Sequence, residues 1–284
     1  MKQKDLINYN GNVLPAAEPV LTAQNRAFRY GDGLFESIRI IKDRVMLFPL
    51  HYQRMLNGLQ HLKINIPDNF TEDFCKKLIL DYCEQAGITE NARIRLSFFR
   101  KAGGLFLPAT NEAEYLIEGQ ALSNNNYNLN SKGLTIDIYT EIEKHFSMLA
   151  AYKTNNAVLY VMAAIYREEQ GLDDCLVINS RSRVIESTNA NIFLVKGNKL
   201  YTPPLAEGCV AGVMREFILY IAAKNNISVH ETPLTLEELF EADEAFLTNA
   251  IYGIRWIEHY KSKVYTNSLT TKLARFLEEE LTEG

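Results

Sequence analysis

Strand-like alternation opens the chain. Residues 6–14 form two short apolar runs broken by Asn10-Gly11, a pair that favours a two-residue hairpin turn. Residues 34–48, LFESIRIIKDRVMLF, predict two further strands joined at Lys42-Asp43. The period then changes. Leu50, Met55, Leu56, Leu59 and Leu62 recur at helical spacing over 49–62, and Phe74, Leu78, Ile79 and Tyr82 do so over 71–86, with Gly87 placed as a stop. ARIRLSFFR (92–100) and EYLIEG (114–119) return to strand character, so the first part reads as an α+β domain.

The most polar and turn-prone stretch is SNNNYNLNS, residues 123–131. It predicts a boundary between a smaller N-terminal α+β domain (1–122), a linker (123–130) and a larger C-terminal α/β domain (131–284). Beyond it, strands are expected at LTIDIYT (134–140), CLVIN (175–179), RVIES (183–187) and NIFLVKGNKLYTP (191–203), whose two arms join at Gly197-Asn198. A strand at 227–231 and EAFLTN (244–249) follow, with helices over 155–169, 213–224, near 235–240 and over 267–281.

Bulk composition changes this picture only by exclusion. The 284 residues are 47% hydrophobic and 23% charged, enough for sizeable cores, and the net charge of −5 comes without a basic block. A nucleic-acid partner is therefore not expected. Cys75, Cys83, Cys175 and Cys209 form no C-x-x-C pair and the five histidines lie far apart, so neither a metal site nor a disulfide framework is readable. Cys75 and Cys83 read as packing residues on a helix face. No segment resembles a signal peptide or the roughly 20 apolar residues of a membrane span. The expectation is a soluble, reduced, cytoplasmic protein with no membrane partner.

Three features carry candidate chemistry. Lys153, in HFSMLAAYKTNNAV, follows an apolar run and precedes a polar step. It reads either as a solvated helix-start residue or as an amine held in a site, where burial favours the neutral, nucleophilic form. EGCVAGVMREF (207–217) places Gly208 and Gly212 at the entry of a helix, whose N-terminal N–H groups suit a phosphate. Glu186 stands where a strand runs into Ser-Thr-Asn-Ala-Asn, either a solvated strand end or a carboxylate facing a site. Gly31-Asp32-Gly33 is too short for a dinucleotide fingerprint, and neither a P-loop nor a G-x-S-x-G elbow occurs.

Taken in order, Glu186, Asn191-Ile192-Phe193, Leu200-Tyr201-Thr202 and Val210 to Arg215 resemble the signature of the class IV (fold type IV) pyridoxal-phosphate aminotransferases. FRYGDGLFESIRI resembles the family's substrate strand, LHYQRM its phosphate-arginine helix and ADEAFLTNAIYGI its C-terminal cofactor loop, so the resemblance covers nearly the whole chain. It implies pyridoxal 5'-phosphate as cofactor and Lys153 as the lysine that carries it. It also implies Glu186 beside the pyridine nitrogen and Arg54 on the phosphate, with Gly212 and the N–H groups of Val213-Met214 and Asn249-Ala250. Tyr30, Glu36, Arg95, Arg100, Ala250 and Ile251 fall at substrate positions, and a homodimer is implied.

Aminotransferases and 4-amino-4-deoxychorismate lyase are similar in sharing this fold, the lysine and the glutamate. GVMREF and TNA look more like the lyase, whereas Glu36 is the aminotransferase-like choice. Leu105 and Leu107 stand where D-amino-acid enzymes carry an arginine and a histidine, and Arg95 matches an arginine of the branched-chain enzymes. The reading favours an aminotransferase acting on aliphatic or branched L-amino acids and 2-oxo acids, with the lyase as alternative.

Overall fold

The computed structural model describes residues 3–88, 90–123 and 126–283. Two compact units result: Met1–Asn126 with Tyr152–Asn156, and Tyr127–Ala151 with Ala157–Gly284. The first contains β1 (Leu6–Tyr9), β2 (Asn12–Pro15), α1 (Arg26–Tyr30), β3 (Gly33–Ile41), β4 (Arg44–Val45), α2 (Phe48–His61), α3 (Glu72–Ala86), β5 (Asn91–Arg100) and β6 (Ala113–Ala121). Its strands form one antiparallel sheet in the order β2-β1-β6-β5-β3-β4.

Local chemistry explains the turns. Asn10 and Gly11 both take positive φ (50° and 89°), the geometry a two-residue hairpin needs to match strand twist. Thr71 caps α3 by accepting from Phe74 N, and Gly87 ends it in the left-handed conformation. On β3 the alternate residues Leu34, Ile38 and Ile40 join Ile94, Leu96 and Phe98 of β5 in the core beneath α2 and α3. Cys75 and Cys83 pack in that core as buried free thiols. One core-face position is not apolar: Glu36, only 2% exposed.

The second unit contains β7 (Leu134–Lys144), α4 (Val158–Glu169), β8 (Asp174–Asn179), β9 (Val184–Ser187), β10 (Asn191–Lys196), β11 (Lys199–Thr202) and a 3-10 turn at Leu205–Glu207. It continues with α5 (Val213–Lys224), β12 (Val229–Glu231), α6 (Leu236–Glu241), β13 (Glu244–Asn249), β14 (Gly253–Tyr260), β15 (Lys263–Val264) and α7 (Ser268–Glu283). The path β10-β13-β14-β7-β8-β9 is closed by a pairing of Asn191 with Glu186, so six strands form a ring. Both faces of β8 are buried, as expected where it runs parallel to β7 and is covered by α4.

The structure adds the short elements α1 and β15 to the sequence reading and departs from it in three further places. Strand β14 was not expected, because Arg255, Glu258 and His259 interrupt its apolar alternation; it pairs with β13 and β7 nonetheless. The helix expected from 155 starts at Val158, because Tyr152–Asn156 groups with the first unit. The stretch expected as linker is built into the second unit from Tyr127 onward: Tyr127 donates to Ala250 O at 2.8 Å and Asn130 to Trp256 O at 3.0 Å. Asn124 and Asn125, within that expected linker, lie outside the described residues.

Candidate functional site

In the first unit, Tyr152–Asn156 lies along β3 as a strand-like segment. Phe35 N donates to Lys153 O at 2.8 Å and Asn155 N donates to Gly33 O at 2.9 Å. Close approach requires glycine here: a Cβ on Gly33 would meet Phe98 O at 2.3 Å and Asn155 Nδ2 at 2.8 Å. Gly58 of α2 serves the same purpose, since a Cβ there would meet Leu34 at 2.6 Å and Tyr152 at 3.1 Å. The half-buried Lys153 places Nζ 5.0 Å from the Phe35 ring centre, and the Arg95 guanidinium rests on the same ring at 3.6 Å. Burial lowers the Arg95 pKa, and the Arg93 charge adds to this while Glu118 opposes it.

Arg54 projects from α2 toward β3, and Glu36 grips one edge of its guanidinium. Nε donates to Glu36 Oε1 at 2.8 Å and Nη2 donates to Oε2. His51, one turn earlier on α2, holds the same Oε2 through Nδ1 at 2.7 Å. Burial would raise the Glu36 pKa, but the Arg54 charge and the hydrogen bonds from His51 and Arg54 outweigh it and hold the carboxyl at about 2. Burial pushes the His51 pKa down, although Glu36 opposes this. The Glu36 carboxylate, expected at a substrate position, is buried and engaged on both oxygens by Arg54 and His51.

Arg100, also expected at a substrate position, is bound within the protein. Nε donates to Asp32 (3.0 Å), Nη1 to Lys63 O (2.9 Å) and Asn111 Oδ1 (2.5 Å), and Nη2 to Leu62 O (2.7 Å) and Asp32 Oδ1 (3.3 Å). A guanidinium has five N–H donors, so none remains for a substrate carboxylate. Arg26 shares Asp32 and donates to the carbonyls of Gly103, Leu105 and Phe106, which fixes that loop. Tyr30, on α1, stands against it with its ring 5.5 Å from that of Phe106.

In the second unit the centre is Glu186, 3% exposed at the end of β9. Oε1 accepts from Lys144 Nζ at 2.6 Å and Tyr160 Oη at 2.7 Å, and Oε2 accepts from Val210 N at 2.8 Å. Burial and the Glu186 charge push the Tyr160 pKa up, so the phenol stays a neutral donor. Asn191 Nδ2 donates to Val210 O at 2.8 Å, so Val210 is held through both its N–H and its carbonyl. That fixes the approach to α5, whose N-cap is Gly212 and whose first residues, Val213 and Met214, are buried. A Cβ on Gly212 would fall 1.8 Å from Asn191 Oδ1.

Asn249 ends β13, and Ala250 and Ile251 open the turn to β14. Asn249 Oδ1 accepts from Ile251 N at 3.0 Å and Tyr252 N at 2.9 Å, and its Nδ2 donates to Asn189. The sequence reading passed over His51, Lys144 and Tyr160. His51 is a polar residue in the buried stripe Phe48, Met55 and Leu59 of α2, a signal that was available. Lys144 and Tyr160 carry no local signal, because only the fold brings them to Glu186.

Comparison with known proteins adds a family and a fold. The family model described as amino-transferase class IV matches residues 33–260. Aminodeoxychorismate lyase from Vibrio harveyi is 29% identical over 238 residues, covering 81% of this chain and 83% of its own. A protein named as a putative branched-chain-amino-acid aminotransferase from Methanocaldococcus jannaschii is 27% identical over 275 residues, covering 96% and 94%. The crystal structure of branched-chain aminotransferase from Thermoproteus uzoniensis with norvaline superposes with a TM-score of 0.89 at 25% identity, covering 99% of this chain and 96% of that one.

Proposed function

Since the chain belongs to the class IV aminotransferases, we propose that it is a pyridoxal-phosphate enzyme that moves an amino group between an aliphatic or branched L-amino acid and a 2-oxo acid. The observation that carries this is the Glu186 carboxylate. A carboxylate offers about four acceptor positions. Lys144, Tyr160 and Val210 N occupy three. The remaining position suits a protonated ring nitrogen, which a buried negative charge stabilises.

The family resemblance assigns the other donors to the same cofactor. Lys153 supplies the amine that joins its aldehyde, and Arg54 with the N–H groups of Gly212, Val213, Met214, Asn249 and Ala250 suits its phosphate. When bound, the cofactor supplies a ring that accepts the electron pair left as the substrate loses its α-proton. Lys153 takes and returns that proton at its amine. Arg95, with Tyr30, Ala250 and Ile251, forms the substrate set, and Arg95 pairs with a carboxylate. Lys144 and Tyr160 hold the Glu186 carboxylate in place. A cytoplasmic location belongs to this reading, and the four buried free thiols are compatible with it. A second copy of the chain is its partner.

Lyase activity is the second reading, favoured by the 29% identity to a protein named as an aminodeoxychorismate lyase. A panel of amino donors, followed by cofactor absorbance, separates the two. The transferase converts bound cofactor to its amine form with an aliphatic L-amino acid and regains the aldehyde with a 2-oxo acid. Failure of every donor, with 4-aminobenzoate and pyruvate formed from aminodeoxychorismate, establishes the lyase instead.

A further inference from the structure

The buried group Glu36–His51–Arg54 holds more polar structure than an arginine on a phosphate needs. Glu36 occupies a slot in the apolar row Leu34, Ile38, Ile40, and His51 one in the apolar stripe of α2. Both are at most 2% exposed. A polar residue at a core position is costly unless its partners are fixed, so both hydrogen bonds must persist in the folded state.

The hydrogen-bond logic assigns each proton. An ionised carboxylate only accepts, so His51 Nδ1 carries a hydrogen toward Glu36 Oε2. Neutral His51 then presents Nε2 as a bare acceptor, and that atom is buried without a hydrogen-bond partner among the described residues. The pair Glu36–Arg54 is thus electrically balanced, and His51 adds no charge to it. A balanced arginine gripped along its Nε–Nη2 edge offers an incoming anion direction rather than net attraction.

We propose that Glu36 and His51 are positioning residues for the cofactor's phosphate: His51 fixes the Glu36 carboxylate, and Glu36 fixes the plane of the Arg54 guanidinium. This rests on the proposed role of Arg54. It opposes a plain electrostatic view, in which removing the Glu36 charge strengthens phosphate binding.

The test is the ratio of affinities for pyridoxal phosphate and pyridoxal, which lacks the phosphate, titrated into apoprotein by absorbance. Arg54→Gln comes first; an unchanged ratio there removes the phosphate role of Arg54 itself. If Arg54→Gln lowers the ratio, Glu36→Gln and His51→Leu are expected to lower it about tenfold, as for groups that orient a ligand-binding side chain. His51→Asn, whose amide N–H replaces Nδ1–H, is expected to restore it. In the Arg54→Gln background Glu36→Gln is expected to add nothing. A ratio that stays or rises in Glu36→Gln and His51→Leu, or equal losses for both ligands, overturns the proposal. If Glu36→Gln does not fold, the comparison of His51→Leu with His51→Asn decides alone.

Discussion

Lys153 and Glu186 allow the most direct measurements at the scale of single residues. Borohydride reduction of the holoenzyme is expected to fix the cofactor to a peptide containing Lys153, and Lys153→Ala to leave no adduct. A label on another lysine removes Lys153 from the role. Glu186→Gln is expected to retain cofactor while turnover falls about 10²–10³-fold, the order lost with a charge aimed at a reacting centre. Near-normal turnover reduces Glu186 to a structural part. His51 and Glu36 make a pH prediction. The folded His51 pKa lies below its usual 6.5, so on acidification the unfolded chain takes up a proton that the folded chain refuses. Stability therefore falls as pH drops below 6.5. Glu36, at about 2 against 4.5, adds a further loss between those values. Thermal melts at pH 7.5 and 5.5 should show a smaller fall for His51→Asn than for the wild type; equal falls exclude His51 as the source.

Secondary-structure elements meet at two glycines, and each carries a prediction. Gly33 lets β3 lie between β5 and the Lys153 segment, and an alanine there would press on a backbone oxygen, Phe98 O, at 2.3 Å. Backbone cannot swing aside as a side chain can. Gly33→Ala is expected to cost about 3 kcal/mol or more and to weaken retention of cofactor. Gly212→Ala instead displaces the Asn191 amide, which then releases Val210 O, so about 1–3 kcal/mol and a looser start to α5 are expected. Gly171 is the control, since its φ of +64° meets no neighbour within 4 Å. Asparagine, which tolerates that conformation, should cost under about 1 kcal/mol there by denaturant titration. Equal losses at all three would mean that close packing is not what these glycines supply.

At the scale of the whole molecule, Leu105, Phe106 and Leu107 are 73%, 88% and 84% exposed and Phe28 is 80% exposed. Arg26 holds that loop by three backbone carbonyls, so the apolar residues are displayed on a fixed support. Large fixed apolar groups in water mark an interaction surface, and the proposed second copy is expected to cover it. Light scattering is expected to give a dimer, and Phe106→Asp is expected to shift it toward monomer. A monomeric wild type at micromolar concentration removes the second copy from this surface.

Sequence alone determined whatever depends on neighbours along the chain. The Asn10-Gly11 hairpin, the helix stopped by Gly87, the span 213–224 and the join at Gly197-Asn198 are local chemistry, legible because φ preference and side-chain period act over a few residues. The ordered motif around Glu186 also carried the family, which the match over residues 33–260 shows. Tertiary structure decided what each polar side chain faces. Glu36 in β3 and Arg100 in β5 fall at positions the resemblance assigned to substrate, yet pairing with α2 and with Asp32 engages both within the protein itself. Lys144 and Tyr160 reach Glu186 from 42 and 26 residues away, a distance no local pattern encodes. Burial makes such partners obligatory, because a charge removed from water must find its hydrogen bonds wherever the fold delivers them.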